Sequence, residues 1–234
     1  MSVAPSVLEA WDLAKSYRRG PEEIHALVGA DLRIEAGEVI ALVGPSGSGK
    51  TTLLAVLAGW EPPDGGRIAW RGEPMDRPAD LGWDELAIVP QTLGLMEELT
   101  IRENVGLPLR LDGSVSGIAA DRVDALLVQF GLAGLADRLP SEGSLGEQQR
   151  AALARSLVRS PRLLMADEPT GHQDVVWARA VLQALSSAAS DGTACLVATH
   201  HRAVASYADR VLAIADGRLE QVDAESVVAE GDEL

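Results

Sequence analysis

Three short apolar runs stand out along this 234-residue chain. VIALVG (39–44), RLLMAD (162–167) and TACLVAT (193–199) are continuous rather than alternating, the pattern of strands buried on both faces of a parallel sheet. Between them the period changes. TTLLAVLAGW and VVWARAVLQALSSAAS space their apolar residues as helices do, so strand and helix alternate in the manner of a doubly wound α/β core. Ahead of that core, VLEAWDLAKSY and HALVGADLRIEAGE show partial alternation broken by glycine, which predicts antiparallel strands and turns. PPDGG (62–66) is a turn and RIAWRG a further short strand. From about Leu93 to Pro140 the pattern becomes helical, with ADRVDALLVQFGLAGLADRL predicting an amphipathic helix that ends near Gly131. EGDEL closes the chain as an acidic tail, and no internal repeat is present.

At 47% hydrophobic residues the chain has enough apolar surface for one sizeable core. Its apolar runs fall far short of the roughly 20 residues that a membrane-spanning helix needs. Met1–Pro5 carries neither a basic start nor a following apolar stretch, so a soluble, intracellular protein is expected, held at any membrane by another subunit. A net charge of −15 argues against nucleic acid as a partner. Cys195 is the only cysteine; it has no partner for an internal disulfide and sits in an apolar run, as a small buried hydrophobe would.

The chemistry starts at GPSGSGKTT, directly after the first buried run. Gly44, Pro45, Ser46, Gly47, Ser48, Gly49, Lys50 and Thr51 fit the phosphate-loop pattern, and the flanking strand and helix make the match specific. The glycines let backbone N–H groups crowd around phosphates, the helix N-terminus adds partial positive charge, Lys50 reaches the β- and γ-phosphates, and the Thr51 hydroxyl is a Mg²⁺ ligand. Asp167 and Glu168 follow the second buried run. Asp167 at a strand end suits Mg²⁺ coordination, and Glu168 suits the general base that polarises an attacking water. Together these residues predict hydrolysis or transfer of a nucleotide phosphate.

The run PSEGSLGEQQRAALARSLVRSPRLLMADEPTG resembles the signature-to-Walker-B segment of ATP-binding cassette (ABC) ATPases, and the resemblance extends from about Val7 to Glu220. It implies a P-loop fold of RecA-like core and antiparallel β subdomain over 1–92 and 160–222. A helical subdomain over 93–159 and an acidic tail over 223–234 would complete it. It also implies roles. Gln91 would be the Q-loop residue that senses Mg²⁺ and the γ-phosphate, and His200 the switch histidine. Asp174 would be the D-loop aspartate, Tyr17 the ring that stacks on adenine, and Thr52 a further phosphate-side residue. Ser144, Leu145, Gly146 and Glu147 would form the signature that meets ATP held by a second chain. The implied cofactors are ATP and Mg²⁺. The implied partners are a transmembrane permease subunit and a second ABC ATPase chain, at the cytoplasmic face of the membrane. Ile24–Leu27, Gly44–Lys50 and Glu103–Leu109 look most like the macrolide-exporter and lipoprotein-release group. The resemblance thus implies an ATPase subunit that powers export or extraction of a hydrophobic or peptide-like substrate, or transmits force across the membrane. A soluble ABC protein of DNA repair or translation, and a nucleotide-gated subunit of low turnover, are the competing readings.

Departures from the family pattern fall at the signature, in the D-loop and after the switch histidine. Gly143 stands where an apolar residue is usual, and Leu145 replaces the first signature glycine. His172 and Gln173 alter the D-loop, and His201 replaces the aspartate that frequently follows the switch histidine. Ser144 and Glu147 also spell a capping box, S-x-x-E, for the helix that follows. A working but slowed site is expected, provided Leu145 is not forced to positive φ, which is costly for a bulky residue.

Overall fold

The computed structural model describes residues 6–111, 113, 117–171 and 173–229. Two long strands, β1 (Ser6–Arg19) and β2 (Glu22–Glu35), open the chain as an antiparallel pair. The short β3 (Val39–Val43) then leads into helix α1 (Lys50–Leu57). β4 (Gly65–Trp70) and β5 (Glu73–Pro74) return to the first pair and complete a four-stranded sheet of order β2-β1-β4-β5. β6 (Leu86–Val89) precedes three helices, α2 (Ile101–Leu111), α3 (Gly117–Gln129) and α4 (Leu145–Leu157). Then come β7 (Leu163–Asp167), α5 (Val175–Ser190), β8 (Ala194–Thr199), β9 (Arg210–Ala215), β10 (Arg218–Val222) and α6 (Ala224–Ala229).

The second sheet runs β10-β9-β3-β8-β7-β6 and is parallel except at its β10 edge. The continuous apolar runs are explained by what covers its two faces. Val39, Ala41 and Val43 of β3 face one core with Leu164, Ala166, Cys195 and Val197, against α3, α4 and α5. Ile40 and Leu42 face the other with Leu163, Met165, Leu196 and Ala198, against α1 and the antiparallel sheet. A period of two with both faces dry leaves no position for a polar residue. Burial also pushes the Cys195 thiol up to about 12, so it behaves as the expected hydrophobe.

Differences from the sequence expectation lie at the edges. Residues 91–100 are not helical, because Leu93 and Gly94 both take φ 58°, and helix begins only at Ile101. The predicted amphipathic helix ends at Gln129, with Gly131 at φ 65° just beyond. Asp216 and Gly217, at φ 48° and 73°, make the β9–β10 hairpin turn that an Asp-Gly pair favours. The tail expected from residue 223 opens instead with α6, whose Ala224 and Val227 pack on the core beneath β3 and β9. Residues 230–234 of that tail, and His172, lie outside the described residues. Among the described residues no helix is long and apolar enough to cross a membrane.

Candidate nucleotide site

β3, β6, β7 and β8 are parallel, so their carboxyl ends share one edge of the sheet. The phosphate loop, the acid pair, Gln91 and His200 sit at or just past those ends, as expected where ligands bind beyond the strand ends of an open α/β sheet. The phosphate loop follows β3, Gln91 lies two residues past β6, Asp167 ends β7 with Glu168 next, and His200 follows β8.

The loop is shaped by close backbone approach. Gly49, the N-cap of α1, takes φ 112°, and a β-carbon there would stand 2.4 Å from the Ala26 carbonyl oxygen. At Gly44 a β-carbon would meet the Ile214 carbonyl at 2.5 Å. No side chain caps α1, so its first N–H groups stay available to an anion. Pro45, Ser46 and Gly47 are exposed, while Ser48 is buried with a hydroxyl that has no hydrogen-bond partner among the described residues. The buried Lys50 ammonium donates to the carbonyls of Gly44 at 2.7 Å and Pro45 at 3.1 Å, which folds it over the loop it serves.

Thr51 Oγ1 donates to Asp167 Oδ2 at 2.7 Å, joining α1 to the end of β7. Asp167 is only 5% exposed. Burial raises its carboxyl above the ordinary range, and Glu168 adds to that, against the opposing Thr51 hydrogen bond and the Lys50 charge. A hydroxyl and a desolvated carboxylate side by side form an all-oxygen donor pair, which fits a hard divalent cation such as Mg²⁺.

Glu168 is the most tightly held residue in the site. It takes φ 52°, an unusual conformation for a side-chain-bearing residue and one that clusters at functional centres. Its N–H donates to the Ala198 carbonyl at 2.8 Å, and its carbonyl accepts from Gln149 Nε2. Its carboxylate accepts from Thr199 Oγ1 at 3.0 Å on one oxygen and meets His200 Nδ1 at 2.8 Å on the other. With Glu168 ionised, Nδ1 carries the proton, so His200 offers a second N–H only as the doubly protonated ring.

The signature turn is built differently. Ser144 is the N-cap of α4 and Leu145 its first helical residue; Leu145 is 48% exposed and is not among the residues with positive φ. The condition under which that leucine would have failed is therefore not met. The capping box is complete: Glu147 N–H donates to Ser144 Oγ at 3.3 Å, and Glu147 Oε2 accepts from Ser144 N–H at 2.7 Å and Oγ–H at 2.9 Å. These bonds, the Ser144 N–H foremost, hold the Glu147 carboxyl below its ordinary range.

Behind the turn lies wiring that the sequence does not announce. Gln173, readable only as a departure from pattern, donates to the Gly146 carbonyl at 2.9 Å and Gln149 Oε1 at 3.1 Å, and accepts from Arg150 Nη1 at 2.9 Å. Arg150 also donates to the Phe130 carbonyl at 2.9 Å and lies 4.0 Å from the centre of the Trp177 ring. Arg155 grips the loop after Gln91 through the Leu93 and Gly94 carbonyls, at 2.8 and 2.7 Å. The fully buried Asn104 holds the same loop through Met96 and Leu99. Asp174 caps α5, accepting from Trp177 N–H at 2.9 Å. Tyr17, at the end of β1, bonds to Glu61 and lies within reach of Thr52; burial first, then the Glu61 bond, raises its phenol above the ordinary value. The Gln91 side chain is exposed.

A family model described as ABC transporter matches residues 27–171. The lipoprotein-releasing system ATP-binding protein LolD of Gluconobacter oxydans is 39% identical over 94% of this chain and 97% of its own length. The ABC transporter ATP-binding protein YbbA of Escherichia coli K12 is 38% identical over 93% and 98%. Among solved structures, the dimeric bacterial ABC transporter cassette MJ0796 superposes with a TM-score of 0.83 at 31% identity, over 92% of this chain and 99% of that one. The same cassette is also known in a post-hydrolysis dimer bound to ADP and Pi, at the same TM-score of 0.83. This chain therefore belongs to the ABC transporter family, as an ATP-binding and ATP-hydrolysing subunit.

Proposed function

We propose that the chain powers a membrane complex that extracts or exports a hydrophobic or lipid-modified substrate, through a separate transmembrane subunit at the cytoplasmic face. The observation that carries the catalytic part of this reading is the clamp on Glu168. A carboxylate fixed by Thr199 and His200, on a backbone tied to Gln149 and Ala198, stands beside a phosphate loop with its oxyanion donors in place. Lys50 and the α1 N-terminus hold the β- and γ-phosphates, Glu168 takes a proton from the attacking water, and His200 steadies the γ-phosphate side of the site. Thr51 and Asp167, with Gln91 alongside, would hold Mg²⁺, which would supply charge neutralisation to the phosphates. Tyr17, beside Thr52, offers its ring to adenine.

In this reading residues 1–92 and 160–222 are the nucleotide-binding core, and 93–159 carry the signature to a second chain. Ser144, Leu145, Gly146 and Glu147 there face the ATP held by that chain's phosphate loop, with Asp174 at the junction. The substrate class rests on relatives named for lipoprotein release, at 38–41% identity. Tagged Glu168→Gln protein, trapped with ATP in detergent-solubilised membranes, tests it. Recovery of a membrane-spanning subunit in near-equal amount is the expected outcome; recovery of soluble ribosomal or repair proteins alone would overturn it.

A further inference from the structure

His201 has no part in the hydrolytic scheme, yet its ring lies against His200 with the two centres 4.1 Å apart. One donor atom each from Glu168, His200 and His201 fall within 4.8 Å of one another. The grouping is fixed from behind. His201 N–H donates to Thr199 Oγ1 at 3.0 Å, and that same hydroxyl donates to Glu168 Oε2 at 3.0 Å, so the turn presenting both rings is tied to the carboxylate.

Two imidazoles and one carboxylate are the donor set of an open zinc site, in which three protein ligands leave a fourth position to water. Nitrogen donors select metals of the zinc class over Mg²⁺, which requires near-octahedral oxygen. The molecule thus separates two kinds of cation: an oxygen pair at Thr51 and Asp167, and a nitrogen-rich triad of Glu168, His200 and His201. Metal–nitrogen bonds near 2 Å put neighbouring donors roughly 3.3 Å apart, so the Glu168–His200 pair at 2.8 Å must open slightly while the wider separations, within 4.8 Å, close. His200, with a side chain 53% exposed, has the freedom to do so.

We propose that Glu168, His200 and His201 form a binding site for a zinc-class divalent ion. Its occupancy replaces the Glu168–His200 hydrogen bond, converts the carboxylate from base to ligand, and so silences hydrolysis. Two of the ligands belong to the catalytic centre; His201 is what makes the centre a metal site. The metal-binding half of this proposal is independent of what the complex transports.

Zinc titrated into the nucleotide-free chain against a chromogenic chelator tests it. The expected result is one zinc per chain, with affinity reduced at least about tenfold in His201→Ala and in His201→Asn, as loss of a ligand should cost no less than loss of a supporting residue. His25→Ala keeps the native affinity. With saturating ATP and Mg²⁺, stoichiometric zinc lowers turnover of the native chain relative to its own zinc-free rate. A zinc-selective chelator restores it, and His201→Ala loses much less at the same zinc. Equal affinity in native and His201→Ala protein, loss of binding in His25→Ala instead, or bound zinc with undiminished turnover would each overturn the proposal.

Discussion

The phosphate loop and the signature turn are both helix N-termini offered to oxyanions, yet they are finished in opposite ways. At α1 the N-cap is Gly49, no side chain caps the helix, and the free N–H groups wait for a ligand. At α4 the N-cap is Ser144, and Glu147 occupies both its N–H and its hydroxyl. An open terminus binds phosphate unaided, whereas a closed one must exchange a carboxylate for a phosphate. In the proposed reading, that difference lets the phosphate loop take ATP within one chain and leaves the signature as a contact completed when a second nucleotide-loaded surface arrives. Two of the altered residues, Leu145 and Gln173, meet at the start of α4, Leu145 as its first residue and Gln173 by donating to the Gly146 carbonyl. Leu145 points outward from a turn whose backbone conformation is ordinary, so the departure from glycine leaves the cap intact.

The largest expected effect falls on the open side. Glu168→Gln should reduce ATP turnover by about 10²–10⁴-fold, the usual worth of a positioned general base, with ATP affinity retained. Equal loss of affinity would show that the clamp shapes the binding pocket rather than the chemistry. On the closed side, Arg150→Ala strips a buried charged donor from the Phe130 carbonyl and from Gln173. A loss of about 2–3 kcal/mol, or roughly 5–10 °C in Tm, is expected from calorimetry. Ser144→Ala removes the cap and should cost about 1 kcal/mol.

The two sides should also respond to pH with opposite sign. Glu147 titrates low in the folded chain, so its contribution is present above the unfolded carboxylate range and disappears as pH falls through the folded value; the Ser144→Ala cost should shrink in acid. Asp167 titrates high when folded. Its ionisation therefore destabilises the nucleotide-free chain above that value and ceases to matter below the unfolded one. Asp167→Asn should raise Tm at neutral pH and leave it unchanged in acid. The smallest effect is expected from Leu145→Gly, which should leave turnover of the assembled complex unchanged or raise it; a clear fall would show that the leucine packs in the interface between chains.

How much of this was legible beforehand follows from how each part is made. β3, β7 and β8 are written locally, since a strand dry on both faces must be continuously apolar, and the phosphate loop and capping box are fixed by residues a few positions apart. The Asp216–Gly217 hairpin was equally local, yet its short flanking strands give little periodicity, and the sequence reading passed over it. Gln149, Arg150, Arg155 and Asn104 were invisible for a different reason. Each is a polar side chain turned inward, and three of the four reach carbonyls 19 to 62 positions away. Asn104 bonds locally, but to a non-helical loop that the helical pattern concealed. Such partners exist only once the chain has folded.

The most direct test of the contrast between open and closed termini is ATP-dependent association. Light scattering on Glu168→Gln protein should show the mass doubling when ATP and Mg²⁺ are added. Adding Ser144→Arg to that variant should leave ATP binding in place and keep the protein monomeric. A doubly substituted chain that still dimerises, or one that loses ATP binding along with association, would contradict the assignment of the signature to a second chain's nucleotide.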